Sequence, residues 1–251
     1  MLAVIGGTGL NSLEGIEGFV QENAEAVTTR FASSPLDVER FNYSGESFLF
    51  LPRHGVGHVI PPHKVNYRAN IDALRIAGAT RIVAMNAVGG IADELHPGAL
   101  AIPDQLIDYS SGREGTFFDA DELVHIDFSD PYSESMRQQL LAAAKRANHV
   151  SESPCNVIDG GVYACTQGPR LETKAEIRRL QNDGCTMVGM TGMPEAALAR
   201  EAELSYACIA LSVNWAAGIS DEIITLDDIY AVVEGVRPYL HELLRQILTQ
   251  Q

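Results

Sequence analysis

The chain has 251 residues, a formal charge of −15 and 46% hydrophobic residues. Such a length carries a substantial core, and an acidic chain without a Lys/Arg block argues against DNA or RNA as a partner. The cysteines Cys155, Cys165, Cys185 and Cys208 form no CxxC pair, which speaks against a zinc ribbon or a redox dithiol.

The chain opens on Met1–Ile5, an apolar run expected to be a core strand rather than a charged leader. No run of about 18 apolar residues follows, so a cytoplasmic protein with no membrane span is expected. Phe48–Leu51, Arg81–Met85, Met187–Met190 and Cys208–Val213 are further strands, apolar throughout as in a sheet covered on both faces. Helices are predicted at Asn66–Ala77, Ser133–Ala147, Glu172–Asn182 and Pro194–Glu203. The alternation predicts one α/β domain over residues 1–251 with a parallel or mixed sheet flanked by helices. The last helix starts at a capping pattern, Thr225-Leu226-Asp227-Asp228, and keeps helical spacing from Ile229 to Ile247, with a kink expected at Pro238.

Gly6-Gly7-Thr8-Gly9 follows the first strand, where backbone N–H groups can cradle a phosphate. A dinucleotide fingerprint would need glycine at Ser12, and a phosphate-binding Gly-Lys-Ser/Thr ending is absent. Arg53-His54-Gly55 ends another strand; Arg offers a forked donor set to an anion, although a surface pair is the plainer alternative. His58 and His63 lie near it, but their spacing lacks the Glu of a zinc-protease helix, so no metal site is expected. Asn86-Ala87-Val88-Gly89-Gly90 is expected to follow a strand, and the glycines at 6–9, 89–90 and 160–161 favour a ligand crevice at strand ends. Gly168 to Thr173 and Asn214-Trp215 have ordinary turn and cap readings in isolation.

Together these segments resemble the trimeric purine nucleoside phosphorylase and methylthioadenosine phosphorylase family over nearly the whole chain. The resemblance rests on Gly6-Gly7-Thr8-Gly9, Arg53-His54-Gly55, Lys64-Val65-Asn66-Tyr67-Arg68-Ala69-Asn70 and Met190-Thr191-Gly192-Met193-Pro194-Glu195. It implies a partly barrel-like, twisted mixed sheet, a homotrimer, and phosphate as a second substrate with no cofactor or metal. It also implies that Thr8, Arg53, His54, Asn86, Ala87 and Thr191 hold phosphate and that Met190 lies against the ribose. Leu171, Glu172, Asn214, Trp215 and Ala216 would line the base pocket. His125 would reach a neighbouring subunit's site, and Leu226 and Tyr230 would line the 5′ pocket.

Departures from the family pattern bear on the substrate. The methylthioadenosine enzymes carry Asp-Tyr-Asp where this chain has Asn214-Trp215-Ala216, and Ser where it has Glu172. Both changes resemble the 6-oxopurine phosphorylases, yet those carry a His at the position of Leu226 to bond a 5′-hydroxyl. An aromatic is usual at Leu171 and a hydroxyl residue at Asn86. An amide at Asn214 can donate to O6 or N7 of a 6-oxopurine, and the Glu172 carboxylate can accept from N1–H. Adenine leaves Glu172 without a bond, a mismatch costing about 1–3 kcal/mol. Leu226 suits a methylthio group. The expected reaction is phosphorolysis of methylthioinosine by attack of phosphate on C1′, with Arg53 and His54 positioning the nucleophile and Asn214 stabilising the leaving purine. Action on methylthioadenosine or on 6-oxopurine nucleosides broadly, hydrolysis without phosphate, and a non-catalytic nucleoside-binding protein are the alternatives.

Overall fold

In the computed structural model, residues 1–118 and 122–249 are described. The chain runs β1 (Leu2–Gly6), β2 (Phe19–Val27), β3 (Leu36–Tyr43), β4 (Glu46–Pro52), α1 (Tyr67–Ile76), β5 (Arg81–Gly90), β6 (Leu100–Ile102) and β7 (Gln105–Asp108). It continues through α2 (Glu134–Val150), β8 (Val157–Asp159), β9 (Val162–Cys165), α3 (Lys174–Asn182), β10 (Met187–Gly189), α4 (Glu195–Glu201), β11 (Ser205–Trp215) and α5 (Leu226–Leu248).

The sheet is mixed and branches at β5. Along one edge β5 pairs in parallel with β11 from Arg81 to Gly90. On the other edge β1 pairs with it only as far as Ala84, and β10 takes over, antiparallel, at Gly89 and Gly90. Residues 85–88 of β5 therefore face no strand on that side. This interruption, at the carboxyl ends of β1 and β4, is where the chain has room for a ligand. One arm continues from β1 through β4, β3 and β2, and the other from β10 through β9 to β7; β6 and β8 extend the β11 edge.

Alternation explains why long runs of the central strands are apolar. Ile82 and Ala84 of β5 and Tyr206, Cys208 and Ala210 of β11 enter one core with α1 and α4. Val83 and Met85 of β5 and Ala207, Ile209 and Leu211 of β11 enter a second core with α2 and α5. Successive residues point to opposite faces, so a strand with helices on both sides has no polar face to display. A smaller cluster under α3 joins Ile177 and Leu180 to Ile91 and Val188.

The helix starts follow local chemistry. Asn66 caps α1 by accepting from the Ala69 N–H at 3.0 Å. Thr173 and Glu176 form a reciprocal capping box at α3. Thr225 accepts from the Asp228 N–H at the start of α5. The helix continues through Pro238 as one element. Among the described residues no helix is long and apolar enough to cross a membrane.

Three expectations need correction. Residues 86–90 do not follow a strand; they are the second half of β5, because β11 and β10 supply partners up to Gly90. The α3 helix starts at Lys174, so Glu172 precedes its cap and lies in the preceding loop. The Gly160–Gly161 turn is not part of the crevice. It links β8 to β9, and its Gly161 N–H donates to Asp104 Oδ1 at 2.7 Å.

Candidate active site

The break beside β5 opens into a cleft of about 580 Å³. The β1–loop junction lies directly before Thr8, which lines this cleft. A Cβ at Gly7 would come within 2.4 Å of the Met85 carbonyl and 2.6 Å of Arg53 Nη1, so only glycine lets the loop approach β5 this closely.

Arg53 leaves the end of β4 and is 2% exposed. Nε donates to Glu195 Oε2 at 2.7 Å and Nη2 to Glu195 Oε1 at 2.8 Å. Nη1 donates to the Met85 carbonyl at 2.8 Å, and Nη2 also reaches Asn86 Oδ1 at 3.3 Å. These bonds use four of the roughly five N–H donors of a guanidinium, leaving one on Nη1. Burial alone would lower the Arg53 pKa, but the Glu195 carboxylate outweighs it and holds the group charged.

His54 packs beside it. Its Nδ1 is 2.7 Å from the Ile60 carbonyl, which can only accept, so Nδ1 carries the proton and Nε2 is an acceptor. Burial, and then the Arg53 charge, push its pKa from 6.5 down to about 4, so the ring is neutral near neutrality. The ring of His58 lies 4.5 Å from that of His54, and its Nε2 is 3.4 Å from Thr8 Oγ1. Burial and Arg53 lower the His58 pKa too.

Asn86 and Trp215 do not line the cleft. Asn86 is buried behind it, donating from Nδ2 to Thr191 Oγ1 at 2.8 Å while accepting from Arg53. Because Thr191 Oγ1 accepts from Asn86, the Thr191 hydroxyl hydrogen is free to point into the cleft. Trp215 contributes its carbonyl, which accepts from Asn214 Nδ2 at 2.7 Å.

Farther along, Glu172, Leu171, Asn214 and Ala216 converge with Met190 and Val188. A bulge between Ser212 and Asn214 interrupts the β11 register here. Such an irregularity re-aims side chains, and both Val213 and Asn214 line the cleft. Glu172 Oε1 accepts from the Thr166 hydroxyl at 2.6 Å.

The mouth is apolar. Leu226, Ile229 and Tyr230 share one face of the first turns of α5, and Ile224 and Val59 line the cleft with them. Leu226 is 68% and Tyr230 55% exposed. Thus Thr8, Arg53, His54, Ala87, Thr191, Met190, Leu171, Glu172, Asn214, Ala216, Leu226 and Tyr230 come together as residues of one cleft. His125 is exposed and outside it. Sequence reasoning gave no role to His58, though it lies next to Arg53-His54, or to Glu195, though it ends the Met190–Glu195 motif. Among the described residues no group of three or more His, Cys, Asp or Glu side chains is arranged to hold a metal ion.

Known proteins are similar to this chain in sequence and fold. The family described as the phosphorylase superfamily matches residues 1–249. The chain is 53% identical to a protein of Pseudomonas syringae pv. tomato named a probable S-methyl-5′-thioinosine phosphorylase, over 90% of this chain and 89% of that one. A protein of the same name from Xanthomonas campestris pv. campestris is 48% identical, over 98% of this chain and 96% of that one. The methylthioadenosine phosphorylase of Schistosoma mansoni, solved in complex with adenine, superposes with a TM-score of 0.88 at 31% identity, covering 99% of this chain and 90% of that one. The chain therefore belongs to the phosphorylase superfamily, as a pentosyltransferase of the purine nucleoside phosphorylase type.

Proposed function

We propose that this enzyme splits S-methyl-5′-thioinosine with inorganic phosphate, giving hypoxanthine and 5-methylthioribose 1-phosphate. The observation that carries this reading is that one cleft is lined both by the polar Glu172 and Asn214 and by an apolar wall of Leu226, Ile229 and Ile224. The names of the Pseudomonas and Xanthomonas relatives agree with it.

Phosphate would occupy the end formed by Thr8, Arg53, His54 and Thr191. Arg53 is neutralised by Glu195 and both histidines are uncharged, so phosphate would be held chiefly by neutral donors and one remaining Arg53 N–H. The Thr8 and Thr191 hydroxyls and the loop N–H groups supply these. The acceptor at His54 Nε2 matches the hydroxyl of a monohydrogen phosphate, turning an unprotonated oxygen toward C1′. Asn86 keeps the Thr191 hydroxyl aimed inward. Attack forms the O–C1′ bond as C1′–N9 breaks with inversion, the bonding pair passes into the purine, and the purine anion takes a proton from water to leave as hypoxanthine. Asn214, rotating its amide off the Trp215 carbonyl, would donate to N7 or O6 and stabilise that charge. Glu172 Oε2 would accept from N1–H. Met190 would lie under the ribose, Leu171 and Ala216 would flank the base, and Leu226 and Tyr230 would cover the methylthio group.

The reading needs no metal or organic cofactor. It includes a cytoplasmic location, where the four free cysteines stay thiols, and a homotrimer in which His125 of one subunit reaches the apolar mouth of another. A fully active monomer in sedimentation would refute the shared site. Product analysis tests the chemistry: methylthioinosine with phosphate should yield a sugar 1-phosphate by phosphorus NMR. Equal base release in phosphate-free buffer would make the enzyme a hydrolase.

A further inference from the structure

Glu172 precedes the α3 cap in a loop, and its carboxylate needs an orientation before it can read a base. Among the described residues it has one hydrogen-bond partner, the Thr166 hydroxyl, 2.6 Å from Oε1. Thr166 directly follows β9. Its own N–H donates to the Gly189 carbonyl at 2.8 Å, fixing it to the end of β10. The hydroxyl has one hydrogen and two acceptors in reach, Glu172 Oε1 and the Gly189 carbonyl at 3.3 Å. The charged and closer oxygen takes it, at the distance of a charge-assisted O–H···O⁻ bond. That leaves Oε2 without a hydrogen bond among the described residues.

Glu172 also borders a second hollow of about 420 Å³, lined by Gln167, Arg170 and Arg179 among others. Arg170 is already bound to Glu176 at 2.8 and 2.9 Å, while Arg179 lies 3.7 Å from Asp183 in a looser pair. An untethered carboxylate has two cations on that side to turn toward, away from the substrate.

We propose that Thr166 is a positioning residue for substrate selection: its hydroxyl holds Glu172 in the cleft and so sets the preference for a 6-oxopurine over a 6-aminopurine. This rests on the base-reading role of Glu172 proposed above. Thr166 touches no substrate atom; it acts through one bond.

The test compares kcat/KM for methylthioinosine and methylthioadenosine in Thr166→Val, Thr166→Ala, Thr166→Ser, Glu172→Gln and the Thr166→Val/Glu172→Gln double variant. Losing one charge-assisted bond should cut the methylthioinosine preference about tenfold in Thr166→Val and Thr166→Ala. Phosphate KM should not move, and Thr166→Ser should restore the preference. In the Glu172→Gln background, Thr166→Val should have no further effect on the ratio, because the carboxylate it positions is gone. If Thr166→Val and Thr166→Ala keep the wild-type ratio while Glu172→Gln loses it, Thr166 has no positioning role and the reading of Glu172 stands. An unchanged ratio in Glu172→Gln overturns both. Equal losses on the two nucleosides, with a raised phosphate KM, would mark Thr166 as a packing residue and overturn the proposal alone.

Discussion

Arg53 and Glu195, 142 residues apart in sequence, form a two-pronged ion pair with both side chains essentially inaccessible to solvent. Glu195 also accepts from the Tyr206 hydroxyl at 2.8 Å. The cation nearest the proposed phosphate position is thus fixed in place by a carboxylate supplied from the first turn of α4.

Breaking this pair should be costly. Glu195→Ala leaves the Arg53 charge buried without a partner, which typically costs about 3–5 kcal/mol. Thermal unfolding is expected to show a large drop in Tm, and the double variant Glu195→Ala/Arg53→Met should recover part of it. A variant as stable as the wild type would mean that water reaches Arg53.

Asn86 was expected from the family resemblance to touch phosphate directly, and its geometry gives it a different part. It sits behind the cleft and links Arg53 to Thr191. Asn86→Ala should raise phosphate KM about tenfold by freeing both partners, with nucleoside KM little changed. Initial rates over a phosphate series decide it, and an unchanged phosphate KM would reduce Asn86 to a packing residue.

His54 gives the enzyme a predictable acid response. Its folded pKa of about 4 lies below the ordinary 6.5, so between these values the unfolded chain binds a proton that the folded chain does not. Its contribution is full above the higher value and is lost as the pH falls toward the lower one. His58 and His241, also lowered, act in the same direction. Urea unfolding from about pH 7 down to about pH 5 should show falling stability, with a shallower slope in His54→Gln. Identical slopes would show that His54 is not held neutral by the fold.

Leu226 should select the 5′ group. Leu226, Ile229 and Ile224 offer a 5′-hydroxyl no hydrogen bond but give a methylthio group apolar contact, and a hydroxyl covered there without meeting the neighbouring subunit's His125 would cost roughly 1–3 kcal/mol. Inosine should therefore be a poor substrate, and Leu226→His should narrow the gap to methylthioinosine. Equal kcat/KM ratios in wild type and variant would leave Leu226 without a role in specificity.

The parts of the fold that sequence made legible are those buried on both faces. β1, residues 82–85 of β5 and residues 206–211 of β11 are apolar because each feeds two cores. β2 left no trace: between Phe19 and Val27 every residue is exposed, so the strand is held by backbone pairing to β3 and carries no hydrophobic period. The short strands β6 to β9 are too brief for periodicity to register. In the site, Thr8, Arg53 and Thr191 stood out as parts of glycine-rich or family-like segments. Glu195 did not, since an acid in a first helical turn is ordinary until a buried arginine is seen facing it. Gly160–Gly161 misled for the converse reason: a tight turn and a ligand loop use the same residues.

The central claim is that one cleft selects both a 6-oxopurine and a methylthio group. Measuring kcat/KM for methylthioinosine, methylthioadenosine and inosine at saturating phosphate tests it most directly. Methylthioinosine should exceed each of the others by about tenfold or more, since each competitor leaves one polar group unmatched. Methylthioadenosine or inosine turned over as well as methylthioinosine would contradict the account.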